Sequence, residues 1–167
     1  MEENTKVLEH SLKHKWVLWF HKVDDENWKE ESYIKVYDIE TYEDILFVIQ
    51  EIPNITSGMF FLMKRGIFPT YEDPENQNGG YWSLRITKKD SYDMWQKLLY
   101  YICVDRITKD EKTNDQINGF TISPKINNCI FKIWTKNYKS MKGDNLRGDI
   151  EGIHPQDTFY LQHRADN

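Results

Sequence analysis

Between Lys15 and Phe20 the chain reads KWVLWF, with Trp16 and Leu18 on one face of an extended strand and Val17 and Trp19 on the other. A strand that is apolar on both faces must be covered on both, which makes it a buried interior strand. Neighbouring strands are therefore required, and the rest of the sequence supplies them. Tyr33 to Ile39 (YIKVYDI), Gly58 to Lys64 (GMFFLMK) and Tyr81 to Thr87 (YWSLRIT) all read as strands. Ile117 to Ser123 and Cys129 to Thr135 form a hairpin about Lys125, Ile126, Asn127 and Asn128, the Asn pair suiting left-handed turn geometry. Thr158 to Gln162 reads as a last strand.

The period changes to helical in two places. Thr41 is an N-cap with an acid, Asp44, three positions on, and Ile45, Phe47 or Val48, and Ile52 continue an apolar face as far as Pro53. Ser91 to Val104 carries Trp95, Leu98, Leu99 and Ile102 at helical spacing. Met141 to Gly152 is ambiguous and could be a short helix. Pairs of strands interrupted by single helices predict an α+β fold, an antiparallel sheet with helices on one face, and not the regular alternation of a doubly wound sheet. With no internal repeat and no Pro/Ser-rich linker, one domain is expected over 10–167, preceded by a short mobile tail, Met1 to Glu9.

Charge limits the partners. With 22 basic against 27 acidic residues the net charge is −5, which argues against holding long nucleic acid through many phosphate contacts, though not against holding a small piece of it. The longest wholly apolar run, Leu98 to Val104, is far shorter than the roughly 20 residues of a membrane-spanning helix. The acidic N-terminus resembles neither a secretory signal nor a transit peptide, and two cysteines make no disulfide framework, so the cytoplasm is expected.

Chemistry is most legible in Lys64 to Trp82, KRGIFPTYEDPENQNGGYW, where Pro and Gly break both flanking strands and Tyr71 is followed directly by Glu72. An aromatic face beside a carboxylate suits a flat ring with adjacent N–H donors, because the face stacks while the acid accepts in the plane. A guanine edge presents such a donor pair. On this segment alone, an ordinary charged surface loop with one buried Tyr is the plainer reading.

The order of motifs across the chain adds to it. HxLxxxWxLWF (His10 to Phe20), Trp28 after an acidic loop, ETYED (Glu40 to Asp44), the loop ending GGYW, and IWT (Ile133 to Thr135) together resemble the messenger-RNA cap-binding family of translation initiation factor 4E. The resemblance implies a curved antiparallel sheet with about three helices on its convex face and the ligand on the concave one. It implies that Trp28 and Tyr71, the latter where Trp is usual, sandwich a 7-methylguanine. Glu72 would pair with guanine N1 and N2, Trp134 would touch the N7-methyl group, and Lys125 would contact phosphate. A second phosphate-binding Lys of the family falls on Ile130. Lys132 shares the strand face of Ile130 and Trp134 and either reaches the same phosphates or faces solvent. Tyr81 stands where an Arg often helps, Arg85 lies further along that face, and LQHRAD (Leu161 to Asp166) places Arg164 near the cap.

For partners, the resemblance implies capped mRNA and a scaffold or repressor helix docked on the dorsal side through His10, Leu12 and the first helix. There Leu46 replaces the usual Trp, removing an anchor ring. Tyr42, Leu46, Trp95, Leu99 and Tyr100 could form a modified docking patch, although buried helix-to-sheet packing is the favoured role of Trp95 and Leu99. The five scattered histidines make no HExxH, GxSxG, Walker or Cys-His pattern, so neither an enzyme nor a bound metal or cofactor is expected. The rival reading is an aromatic cage for a methylated lysine, which would need no in-plane acceptor and no cations.

Overall fold

A computed structural model describes residues 10–163. Among the described residues seven strands are found: β1 (Ser11–His21), β2 (Ile34–Thr41), β3 (Met59–Lys64), β4 (Gly80–Thr87), β5 (Ile117–Pro124), β6 (Asn128–Thr135) and β7 (Phe159–Gln162). They form one curved, open, antiparallel sheet in the order β2-β1-β3-β5-β6-β4-β7. The doubly apolar strand is interior as required, paired with β2 on one side and β3 on the other. The fold is α+β, with α1 (Tyr42–Glu51), α2 (Lys88–Cys103) and the four-residue α3 (Glu111–Asn114) as its helices.

Alternation along the strands sorts the two faces. Trp16, Leu18, Phe60, Leu62, Trp82, Phe120, Ile122, Phe131 and Ile133 point toward the helices and are buried with Trp95, Leu98, Leu99 and Ile102 of α2. Trp82 is wholly enclosed, and its indole N–H donates to the Lys142 carbonyl at 3.0 Å, which fastens the irregular 140s segment over the core. Cys103 and Cys129 are both in this core and are free thiols, and burial pushes the Cys103 thiol well up.

The capping box of α1 forms as its sequence predicts. The Thr41 hydroxyl accepts from the Asp44 amide (3.1 Å), and the Asp44 carboxylate accepts from the amides of Glu40 (2.9 Å) and Thr41 (3.0 Å). Such a cap contributes about 1 kcal/mol. Met141 to Gly152 holds only one 3-10 turn, Gly143–Asn145, before Gly152 adopts φ +91. Leu146, Ile150 and Ile153 of that segment and its continuation are buried at helical spacing, yet no α-helix forms there. The remaining short helix, α3, is capped by Asp110, whose carboxylate accepts from the Thr113 amide.

Burial corrects the expected docking surface at Leu12 and bears out helix-to-sheet packing for Trp95 and Leu99. Leu12 is 5% exposed, and Trp95 and Leu99 are at 0%, because the α2 stripe they occupy faces the sheet. Packing is their role. His10, Tyr42, Leu46 and Tyr100 remain on the surface, where Phe47 joins them at 45%. His10 Nδ1 lies 2.7 Å from a Glu43 oxygen, a contact that holds the Glu43 carboxyl down at about 2. The segment Met1 to Glu9, expected as a tail, and Arg164 lie outside the described residues. Among the described residues, no helix is long and apolar enough to cross a membrane.

Candidate functional site

The face of the sheet opposite the helices carries the site. After β1, the loop bearing Trp28 returns over His21, whose ring lies 4.1 Å from that of Trp28 and within 5° of parallel. His21 is itself fully buried and fixed at both ends, Nδ1 2.8 Å from the Lys22 carbonyl and Nε2 2.8 Å from that of Asn27. Trp28 thus rests on a rigid platform while remaining 53% exposed on its other side.

The second loop, between β3 and β4, is built from the inside by polar side chains. Asn76 is buried and donates to the carbonyls of Phe68 (3.2 Å) and Thr70 (2.8 Å). Asp73 accepts from the amides of Phe68 and Glu75. Asn118 of β5, also buried, donates to the Glu75 carbonyl (2.8 Å) and to Asn76 Oδ1 (2.9 Å), which ties the loop to the sheet. The loop ends at Gly79 and Gly80, where a Cβ would stand 1.8 Å from the Thr135 carbonyl oxygen and 2.3 Å from that of Leu161. Only glycine permits that approach. Tyr71 and Glu72 ride on this frame and are both exposed.

These two loops meet over Trp134 of β6. Trp28, Tyr71, Glu72 and Trp134 line one cavity of about 370 Å³, with Tyr33, Met59 and Phe61 as its floor and Pro69 and Thr70 completing the rim. Burial, with the Glu72 charge adding to it, pushes the Tyr33 hydroxyl up to about 12. The cavity therefore offers aromatic rings, an acid and a mostly apolar floor. A larger depression of about 620 Å³ lies by the end of α2, lined by Lys13, Asp105, Arg106, Lys109, Arg147 and their neighbours, but it has no ring on which a base could stack.

The cations extend along the sheet from this cavity rather than into it. Lys125 is exposed in the β5–β6 turn, and Lys132 is half-buried with its ammonium 4.6 Å from the centre of the Tyr81 ring. Burial and then the Lys125 charge lower the Lys132 ammonium below its usual range. The sequence reading missed His163, whose ring sits 4.4 Å from that of Trp134 and 5.5 Å from that of Tyr81. Burial and the Lys132 charge push it down to about 4, so it is a neutral wedge behind Trp134. His21, Asn76 and Asn118 were also missed. Their only signal is polarity inside otherwise apolar or turn-forming stretches, which many surface residues share.

A cluster of another kind forms elsewhere. His14, Asp105 and Asp115 present ligand atoms within 4.8 Å of one another, but His14 Nδ1 lies 3.0 Å from Asp105 and Asp115 is 2.8 Å from Lys13. Those contacts already satisfy the group.

Comparison with known proteins gives a consistent set. The sequence pattern described as "Eukaryotic initiation factor 4E" matches residues 11–156. "Eukaryotic translation initiation factor 4E" of Saccharomyces cerevisiae is 30% identical over 138 residues, covering 77% of this chain and 63% of its own length. A 4E homolog of Acanthamoeba polyphaga mimivirus is 25% identical over 135 residues, covering 67% of this chain and 50% of its own. The chain thus spans between half and two thirds of the length of these two relatives. Among solved structures, Ascaris suum eIF4E-3 with m7G cap superposes with a TM-score of 0.68 at 25% identity, covering 80% of this chain and 77% of that one. Schistosome eIF4E complexed with m7GpppG and 4E-BP gives 0.72 at 22% identity, covering 80% and 75%, a likeness of fold.

Proposed function

The chain belongs to the eukaryotic initiation factor 4E family, and from that premise we propose that it binds the 7-methylguanosine 5′ cap of mRNA, without catalysis, in translation initiation or its control. The observation that carries this reading is the convergence of Trp28, Tyr71, Glu72 and Trp134 on one cavity. Methylation at N7 makes the purine a cation, so rings on either side of it gain about 2 kcal/mol of cation–π attraction when water is excluded. Stacking adds roughly 1–3 kcal/mol per base. Glu72 accepts from N1 and N2, and methylation favours that bond by making N1–H more acidic. A methyl-lysine cage would leave Glu72 and the lysines beyond Trp134 without a role.

Lys125 and Lys132 take the phosphates in this reading. Lys132 occupies the same strand face as Ile130 and Trp134, and its ammonium lies over the Tyr81 ring, so the Tyr at that position acts as a rest for the lysine. The surface formed by Tyr42, Leu46, Phe47 and Tyr100, with His10 at its edge, is proposed to dock a helix of a scaffold or repressor protein. Structural neighbours include 4E proteins solved with the 4E-binding protein Mextli or with 4E-BP, which supports a partner of that kind.

The test is a fluorescence titration with 7-methyl-GTP and GTP. The methylated nucleotide is expected to bind at least about tenfold tighter, equivalent to roughly 1.4 kcal/mol. Equal affinities would refute the sandwich.

A further inference from the structure

The site does not end at the lysines. Facing residues of paired antiparallel strands share one side of the sheet, so the registers of β6, β4 and β7 define rows on the ligand face. Trp134, Tyr81 and Leu161 form one row, Lys132, Ser83 and Phe159 the next, and Ile130 and Arg85 a third. In the last two rows the surface changes character. Phe159 is 73% exposed, and Arg85 is exposed with no carboxylate paired to it among the described residues. These rows carry no acid at all.

Resting on the cap-binding reading, we propose that Phe159, with Arg85 on the neighbouring strand and Lys132 leading to it across Ser83, is a stacking shelf for the RNA nucleotide that follows the cap. The cavity of about 370 Å³ has room for little beyond the methylated nucleoside, so a chain attached to that nucleoside must continue across the open sheet. Lys132 gives the direction of the phosphates. Ser83, short and level with Lys132, leaves a gap through which a backbone passes. Phe159 lies about 10 Å beyond, two strand spacings away, and offers an uncovered ring face on the side where Arg85 supplies a phosphate donor. Arg85 also lines a depression with Asp90, Asp93 and Glu151 but is ion-paired to none of them, and an exposed aromatic beside such a cation is complementary to a single-stranded nucleotide, whose base stacks regardless of sequence. The competing occupant is a second copy of the chain, because β7 is an edge strand with apolar side chains.

The experiment compares the affinity of the chain for 7-methyl-GTP and for a capped pentaribonucleotide, by fluorescence titration and by anisotropy. Phe159→Ala is expected to weaken the pentanucleotide at least about fivefold, the lower end of one base–aromatic stack, and to leave 7-methyl-GTP unchanged. Phe159→Trp is expected to retain both. Arg85→Gln should lower the salt slope for the pentanucleotide alone by roughly 0.7. If Phe159→Ala alters both ligands equally or neither, the shelf is refuted while the cap site stands. If it instead abolishes self-association in sedimentation velocity and spares RNA binding, the surface belongs to a second copy and the proposal is overturned. A wild-type chain that fails to bind 7-methyl-GTP at all sinks the cap site and the shelf together.

Discussion

Replacing Asn118 by Ala should loosen the ligand site without touching it. The Asn118 side chain is buried in β5 and makes two hydrogen bonds to the loop that carries Tyr71 and Glu72, one to the Glu75 carbonyl and one to Asn76 Oδ1. A net contribution of about 1 kcal/mol for each gives about 2 kcal/mol lost, with two acceptors left unpaired in a protected place. At roughly 2–4 °C per kcal/mol for a domain of this size, global loss would lower Tm by about 4–8 °C. The sheet around Asn118 is held by its own ladders, so part of the loss should appear as local opening of the loop. The apparent affinity then falls with the fraction closed, up to about thirtyfold for 2 kcal/mol. Titration with 7-methyl-GTP reads the affinity, and amide hydrogen exchange over 70–77 reads the opening. If Asn118→Ala lowers Tm as expected yet leaves both affinity and exchange protection unchanged, the loop is not fastened through this residue and the account of the frame is wrong.

Glu72→Gln keeps the size of the side chain and removes its charge, so it should cost about tenfold in 7-methyl-GTP affinity by replacing a charge-assisted hydrogen bond with a neutral one, measured in the same titration. His163 contributes to stability in a defined pH window. Its folded value of about 4 lies below the ordinary 6.5, so the unfolded chain binds more protons between them. The stabilisation is full above about pH 6.5 and lost as pH falls toward 4, and His163→Gln should flatten the dependence of Tm on pH across that window in wild-type comparison. Gly79→Ala drives a Cβ to within 1.8 Å of the Thr135 carbonyl oxygen, a backbone atom that cannot swing aside. A loss of about 1–3 kcal/mol in urea unfolding is expected.

Much of this architecture is legible in the sequence because its causes are local. KWVLWF is apolar on both faces, and β1 is accordingly an interior strand; Thr41 and Asp44 form the capping box that their spacing requires. The β5–β6 hairpin closes at its Asn-bearing turn, with the Lys125 amide donating to the Asn128 carbonyl at 2.7 Å, but neither Asn127 nor Asn128 takes the left-handed backbone expected of the pair. Other features depend on distant residues and leave little local trace. The strand order, which inserts β5 and β6 between β3 and β4, is set by packing across the whole chain. β1 begins at Ser11, ahead of the apolar run, because Ser11 pairs with Thr41. Trp28, Tyr71, Glu72 and Trp134 stand out by residue type and by the company they keep. Asn76 and Asn118 do not, since a buried amide that builds a loop has the same letter as a solvated one. His163 is hidden for a similar reason, as nothing near it in sequence announces that Trp134 and Tyr81 will enclose it.

The enclosure of both cysteines has a practical corollary for chemistry at the surface. Cys103 and Cys129 are each at 0% exposure in the packed interior, so an alkylating reagent can reach neither until the chain opens. A cysteine introduced at Ile126, 93% exposed at the tip beside Lys125, would then be the sole accessible thiol in the native molecule. A dye attached there would report from the edge of the lysines proposed to take the phosphates, with no competing thiol adduct. The rate at which maleimide consumes the two native thiols would in turn time the excursions that expose the interior.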